Sequence, residues 1–269
     1  MSEFPISPAA SADGGRKLRV VVVTEDDPVY VREFFDVFFD GLAPSLLDVR
    51  AVVVCKAFHE SLPATARRVF RFFGPVDFSR LLPRYLFAKF ASRDIGSLAL
   101  AHGLRVIRPE SVNSHEFVEQ VRGEKPDVIV SVAAPEIFKS PLLSVPTIGC
   151  LNIHSGELPA YRGMMPTFWQ MLEGREHVTV TIHEMVPKLD AGGVVATREF
   201  PISGSDSLDR VIRGTKQAGA RLMLSVLADI ASSRALPPAT PLDMSKARLF
   251  RFPGPEDVAR FRARGHRIF

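Results

Sequence analysis

The order of apolar segments along the chain predicts an α/β fold built on a mostly parallel, Rossmann-like sheet. Three observations carry this. Runs rich in β-branched residues, "KLRVVVVTEDD", "DVRAVVVC" and "DVIVSVAA", read as buried strands. Segments with apolar residues at helical spacing lie between them, the first being "YVREFFDVFFDGL", where Gly41 supplies a stop. Strand, helix, strand in that order is the signature of parallel βαβ winding.

The remaining elements follow in the same rhythm. "SRDIGSLALAHGL" reads as a helix and "RVIRP" as a short strand. "SHEFVEQVRGEKP" opens on a Ser with a Glu nearby, carries an apolar stripe and ends at Gly and Pro, so it is a helix. "TIGCLNIH" is the next strand and "TFWQMLEG" a short helix. "HVTVTIHEM" and "GVVATREFPI" alternate, which suits an antiparallel or mixed extension of the sheet. "SDSLDRVIRGTKQAGARLMLSVLADIASS" is a long helix with a Ser/Asp start. The Pro/Arg-rich segment 234–269 is expected to be irregular and to pack back on the domain through Phe252, Val258, Phe261 and Ile268.

Size and composition set outer bounds. The chain has 269 residues, enough for one elaborated domain with a large core. We expect a loose Ser/Ala/Gly/Pro-rich tail at 1–16, a catalytic domain at 17–233 and the packed segment 234–269. A net charge of +4, from 34 Lys+Arg against 30 Asp+Glu, gives little support for a nucleic-acid or membrane partner. Cys55 and Cys150 sit in apolar runs and read as buried free thiols. No CxxC or HxxxH pair occurs, so no metal is expected. No apolar run reaches membrane-spanning length, and a reducing cytoplasm is the expected location. The oligomeric state is left open.

Residues 57–90 break the rhythm. "RRVFRFFGPVDFSRLLPRYLFAKF" interleaves aromatics with arginines at roughly helical spacing. One reading is a helical insertion that covers the core, its Arg stems lying along apolar surface. The other is a peripheral contact with a membrane or lipid carrier.

The chemistry concentrates in "CLNIHSGELPAYRG". Asn152 and His154 are spaced by two, so on a strand they share a face. By themselves they also fit a strand end that hydrogen-bonds its own turn. Read onward, however, Asn-x-His, Pro-x-Tyr-Arg-Gly, Thr-x-His and Leu-Asp-x-Gly-Gly occur in order. This series resembles the folate-dependent formyltransferases, a family that includes methionyl-tRNA formyltransferase, glycinamide ribonucleotide transformylase and the sugar N-formyltransferases. The resemblance is strong from Pro126 to Ile202, looser over the N-terminal half, and absent over 57–90 and after Leu236.

The resemblance implies a formyltransferase-type sheet with helices on both faces, and a triad of Asn152, His154 and Asp190. A formyl group passing from a folate nitrogen to an amine goes through a tetrahedral oxyanion. Asn152 would donate to that oxygen, a contribution of roughly 3–4 kcal/mol in comparable sites. His154 would stabilise the oxyanion or move protons. Asp190 would orient the imidazole and carry the amine's proton away. His183 is expected to support the Asp loop.

The implied cofactor is 10-formyltetrahydrofolate, as formyl donor. Its pterin would sit between Pro135, Ile137 and Phe138 on one loop and Val186, Lys188 and Leu189 on another. Gly156, Glu157, Leu158 and Pro159 stand where the family usually has Ser-Leu-Leu-Pro; Gly156 is expected to free the loop and Glu157 to place a charge near the site.

The acceptor is expected to be the amine of a small molecule: an amino sugar, a sugar nucleotide or a secondary metabolite. Residues 234–269 are too few for the β-barrel with which the family's tRNA enzyme holds tRNA, so tRNA is not the expected acceptor. Glu25 and Asp26 are expected near the amine, or else they cap a helix. Arg162 and Gly163 either shape the acceptor entrance or lie in a surface loop. The alternatives are a formyltetrahydrofolate hydrolase, with water as acceptor, and a non-catalytic folate-binding protein of the same fold.

Overall fold

The computed structural model describes residues 16–56, 62–90 and 93–269. The expected tail therefore lies outside the described residues except for Arg16, as do residues 57–61 of the insertion. The strands are β1 (Leu18–Glu25), β2 (Leu47–Cys55), β3 (Val106–Ile107), β4 (Val128–Val132), β5 (Gly149–His154), β6 (Arg162–Gly163), β7 (His177–Glu184), β8 (Val194–Pro201) and β9 (Leu249–Phe250). The helices are α1 (Val31–Asp40), α2 (Leu62–Phe90), α3 (Ile95–Ala101), α4 (His115–Gly123), α5 (Ser140–Leu143), α6 (Pro166–Leu172), α7 (Leu208–Ser233) and α8 (Pro255–Ala263).

Seven strands form one sheet in the order β3-β2-β1-β4-β5-β7-β8. The first five are parallel, while β7 and β8 extend the sheet antiparallel, as the alternation in their sequences suggests. Successive valines of β1 point to opposite faces. Val20 and Val22 pack with Phe34, Phe35 and Phe38 of α1 and Met223, Val226 and Leu227 of α7. Val21 and Val23 pack with Phe117 and Val121 of α4 and with Phe138 and Leu142. Both faces are thus covered by helices, the condition a parallel sheet needs.

Burial holds α1 in place more than capping does. Each buried Phe contributes about 1.5–3 kcal/mol, and Tyr30 at the N-cap makes no side-chain cap bond. Strand order reverses between β1 and β4, so the C-terminal ends of β1, β4 and β5 open onto one crevice. The opposite end is fastened at Asp127, which accepts from the Arg19 backbone and guanidinium and from Thr147 Oγ1, and pairs with Arg234.

A third apolar cluster closes the crevice end. Phe72 and Phe73 of α2 pack with Phe168 and Trp169 of α6 and with Val258, Phe261 and Ile268 of the C-terminal segment. The chain in α2 bends at Gly74, which adopts φ 71° ahead of Pro75. From α8, Arg262 donates to Phe73 O at 2.7 Å and pairs with Asp77 at 3.0 Å, clamping that bend. The segment 234–269 is more regular than its composition suggests. It contributes β9, which pairs with β6, and α8, which has Pro255 in its first turn, Glu256 and Asp257 near its start and Arg260 and Arg262 near its end. Among the described residues no helix is long and apolar enough to cross a membrane.

Candidate active site

Asn152 and His154 lie within the last three residues of β5 and line the crevice. Asn152 Nδ2 donates to His183 Nε2 at 3.0 Å. His183 Nδ1 lies 2.7 Å from Glu184 O and donates to it, so its Nε2 is an acceptor. Burial holds the His183 imidazole below its ordinary value of 6.5, with nearby His154 acting in the same direction and Asp190 opposing. A neutral His183 therefore accepts one Asn152 amide N–H, and among the described residues the other has no hydrogen-bond partner. The structure gives His183 a different partner from the expected one: it holds Asn152, with Asp190 Oδ1 at 3.7 Å.

His154 is buried, and its Nε2 donates to Tyr161 O at 2.6 Å. That leaves Nδ1, 3.8 Å from Asp190 Oδ2, as the nitrogen available for proton exchange. Asp190 is also buried, with its backbone in the left-handed region at φ 43°. Its Oδ2 accepts the Gly163 N–H at 2.8 Å. Gly163 itself has φ 92°, and a Cβ there would collide with Phe250 O, so β9 presses directly on this turn.

Arg162 corrects both readings made of it. Its side chain is buried and lines neither an entrance nor solvent. Its Nε donates to the carbonyls of Leu189 and Asp190, each at 3.1 Å, so the guanidinium fixes the Asp190 loop from behind. Asp26 is a second correction. It accepts the Ile95 N–H at 3.2 Å at the start of α3 and does not line the crevice. Burial raises its carboxyl above the ordinary carboxylate range, with the Ile95 bond opposing. Asp26 thus supports the start of α3, whose N-cap is Asp94, and does not cap the helix that follows β1, while Glu25 lines the cavity.

The loop departure also reads differently in three dimensions. Gly156 is not free: it is buried, its carbonyl accepts from Thr181 Oγ1 at 2.7 Å, and a Cβ would stand 2.7 Å from His154 Nε2. Glu157 pairs with Arg175 at the surface and brings no charge to the cavity.

Asn152, His154, His183 and Asp190 meet in a cavity of about 920 Å³. Pro135, Ile137, Phe138, Val186, Lys188 and Leu189 all line it. Ile137, Val186 and Leu189 remain 51%, 38% and 39% exposed and form facing apolar lips, with Phe138 buried behind them. Glu136 pins the first lip by accepting from Ser111 Oγ at 2.6 Å and from the Val112 N–H at 3.2 Å. The insertion contributes Phe72, Phe73, Phe78, Leu81, Leu82 and Tyr85 to the opposite wall.

Sequence reasoning missed Lys216, which lines the cavity from α7 and whose ammonium burial pulls below the usual lysine range, with Glu25 and Asp27 opposing. Only the fold brings it opposite Glu25, and no motif surrounds it. Among the described residues no cluster of His, Cys, Asp and Glu is arranged to hold a metal ion. Burial pushes the Cys55 and Cys150 thiols up to about 12.

Comparison with known proteins gives this geometry a family. A family model described as formyl transferase matches residues 80–227. The chain belongs to the formyl transferase family. It is similar to methionyl-tRNA formyltransferase of Bacillus subtilis (strain 168), 35% identical over 139 residues, which are 52% of this chain and 44% of that protein. It is 36% identical over 136 residues to methionyl-tRNA formyltransferase of Bacillus velezensis, covering 51% of this chain and 43% of the relative. The chain thus spans under half the length of these curated relatives.

Among solved structures, it resembles glycinamide ribonucleotide transformylase 1 from Symbiobacterium toebii, with TM-score 0.58 and 15% identity over 84% of this chain and 95% of that one. It also resembles a sugar N-formyltransferase from a Shewanella species, with TM-score 0.54 and 20% identity over 91% and 87% of the two chains. At these identities the structural likeness speaks for the fold, an α/β fold with a mostly parallel sheet.

Proposed function

We propose that the protein transfers the formyl group of 10-formyltetrahydrofolate to the amine of a small molecule, with Asn152, His154 and Asp190 as the working groups. One observation carries the reading. Three polar side chains of a formyl transferase chain, two from the end of β5 and one from the loop between β7 and β8, converge in one apolar cavity, each with a hydrogen-bond partner.

The apolar lips at Ile137, Val186 and Leu189 suit the flat ring of the formyl donor, which supplies the carbonyl carbon that the amine attacks. Asn152 directs an amide N–H at the oxygen that gains charge as the new C–N bond forms; the oxygen gives that charge back when the bond to the folate nitrogen breaks and that nitrogen leaves carrying a proton. His154 Nδ1 takes the proton that the amine loses, the Asp190 carboxylate stabilises the resulting imidazolium, and the same proton passes on to the departing folate nitrogen. Arg162 and the Gly163 N–H hold Asp190 for this task.

A second reading has its own observation: the curated relatives above are methionyl-tRNA formyltransferases. The test therefore offers formyl-folate with water alone, with a panel of small amines, and with methionyl-tRNA. The proposal expects formamide product from small amines only. Turnover with water alone would make the protein a hydrolase, product only from methionyl-tRNA would make tRNA the acceptor, and folate binding with no turnover would mark a non-catalytic folate-binding protein.

A further inference from the structure

The half of the cavity away from the folate lips has an unusual chemistry for an acceptor site. Its wall is the face of α2 formed by Phe78, Leu81, Leu82 and Tyr85, which recur at helical spacing. Leu208 and Ile212 at the start of α7 face them across the cavity. Among the described residues no arginine lines the cavity, and its lysines are Lys188, beside the folate lips, and Lys216, opposite Glu25 and Asp27. A phosphate or diphosphate would thus meet one lysine accompanied by two carboxylates. The rim on this side carries apolar groups as well: Leu82 and Tyr85, which line the cavity, are each 40% exposed and Leu86 beside them is 42% exposed, while Arg84 on the same helix pairs with Asp209. The helix responsible is held in place from both directions, by Phe72 and Phe73 in the third core cluster and by Arg262 on Phe73 O and Asp77.

We propose that the acceptor is an amine carried on an elongated apolar body, which lies between α2 and the start of α7 and leaves the cavity over the Leu82, Tyr85 and Leu86 rim. This rests on the formyl-transfer reading and names its substrate class. The amine end reaches His154 beneath Asn152, and the apolar body fills the wall that Phe78 and Leu81 provide. A nucleotide-linked acceptor lacks the apolar surface to fill that wall, and inside the cavity its phosphates would meet only Lys188 and Lys216, since Arg32, Arg84, Arg93 and Arg213 line a separate pocket.

Linear primary alkylamines from propylamine to decylamine are the probes, since their amine chemistry is nearly constant while apolar length grows. Each buried methylene adds a roughly constant gain, so affinity should rise about three- to fourfold per carbon until the wall is covered. Two readouts are taken. KM for formamide formation is measured with formyl-folate, and the amine Kd is measured by calorimetry without it. The proposal expects both to fall with chain length, and expects Leu81→Gln and the half-exposed Leu82→Gln to flatten the dependence, with folding checked by thermal melting.

A flat series in wild type, or a steep series that neither variant alters, would overturn the proposal. Formamide from a sugar nucleotide at a lower KM than from decylamine would overturn it too. Chain-length-dependent Kd with no formamide would keep the apolar site and sink the formyl-transfer reading, so the two failures are distinguishable.

Discussion

Replacing Gly156 by Ala tests how tightly the loop that follows His154 is built. The new Cβ would stand 2.7 Å from His154 Nε2, 2.7 Å from Pro166 Cβ and 2.8 Å from Tyr161 O, whereas ordinary van der Waals contact begins at 3.4 Å. Two of those atoms are the ends of one hydrogen bond, His154 Nε2 to Tyr161 O. Relieving the clash by about 0.6–0.7 Å on each therefore pushes that bond apart. Overpacking of this kind costs about 1–3 kcal/mol, and the lost hydrogen bond adds roughly 1 kcal/mol. Restricting the unfolded chain returns about 0.4–1 kcal/mol.

The net expectation is a loss of about 1–3.5 kcal/mol in urea unfolding. Because His154 is displaced by most of an ångström, kcat for formyl transfer should fall by roughly tenfold to a hundredfold at saturating amine. Gly156→Ser, which restores the residue usual in the family motif, carries the same Cβ and is expected to be no milder. Stability within about 0.5 kcal/mol of wild type together with unchanged kcat would refute the reasoning.

Two further outcomes follow from the same network. Arg162→Met removes the donor to the Leu189 and Asp190 carbonyls, so it should destabilise by about 1.5–3 kcal/mol and lower kcat while leaving the amine KM nearly unchanged; a rise in KM alone would restore the acceptor-entrance role. His183, whose imidazole is held below 6.5 by burial, binds its proton in the unfolded chain before it does so in the folded one. Its contribution to stability is therefore complete near pH 7 and declines as pH falls below about 6.5. The stability difference between wild type and His183→Gln should shrink from pH 7 to pH 5, and a constant difference would contradict the neutral, Asn152-holding imidazole.

Much of this architecture is legible in the sequence. The valine runs of β1, β2 and β4 identify the parallel strands because strands buried on both faces must be apolar throughout, and the alternation in β7 and β8 marks the antiparallel extension. The ribbon of β6 and β9 is invisible because two residues carry no periodicity, and their partners lie far apart in the chain. α8 has ordinary start and stop residues, but only Val258 and Phe261 mark its apolar side, too few to outweigh its Pro/Arg-rich surroundings.

At the site, the spacing of Asn152 and His154 is a local signal and Asp190 sits in a recognisable Leu-Asp-x-Gly-Gly run, so the structure brings together what the motifs suggest. The function of Arg162 is not local: its partners are backbone carbonyls of a loop that the fold alone delivers, and carbonyls leave no trace in a sequence. Asp26 and Glu25 are neighbours in sequence yet diverge, because alternate residues at a strand end face different sides of the sheet. Lys216 sits in an ordinary amphipathic helix, and only the packing of α7 against β1 places it opposite Glu25.

The central claim is that Asn152, His154 and Asp190 together move a formyl group from folate to an amine. It is tested most directly by single-turnover transfer of isotopically labelled formyl from 10-formyltetrahydrofolate, comparing wild type with Asn152→Ala, His154→Ala and Asp190→Ala. The account predicts label on the amine in wild type, transfer slowed by about two orders of magnitude or more in each variant, and unchanged melting behaviour apart from modest shifts. Near-wild-type transfer by His154→Ala, or label released as formate at the same rate whether or not an amine is present, would contradict it.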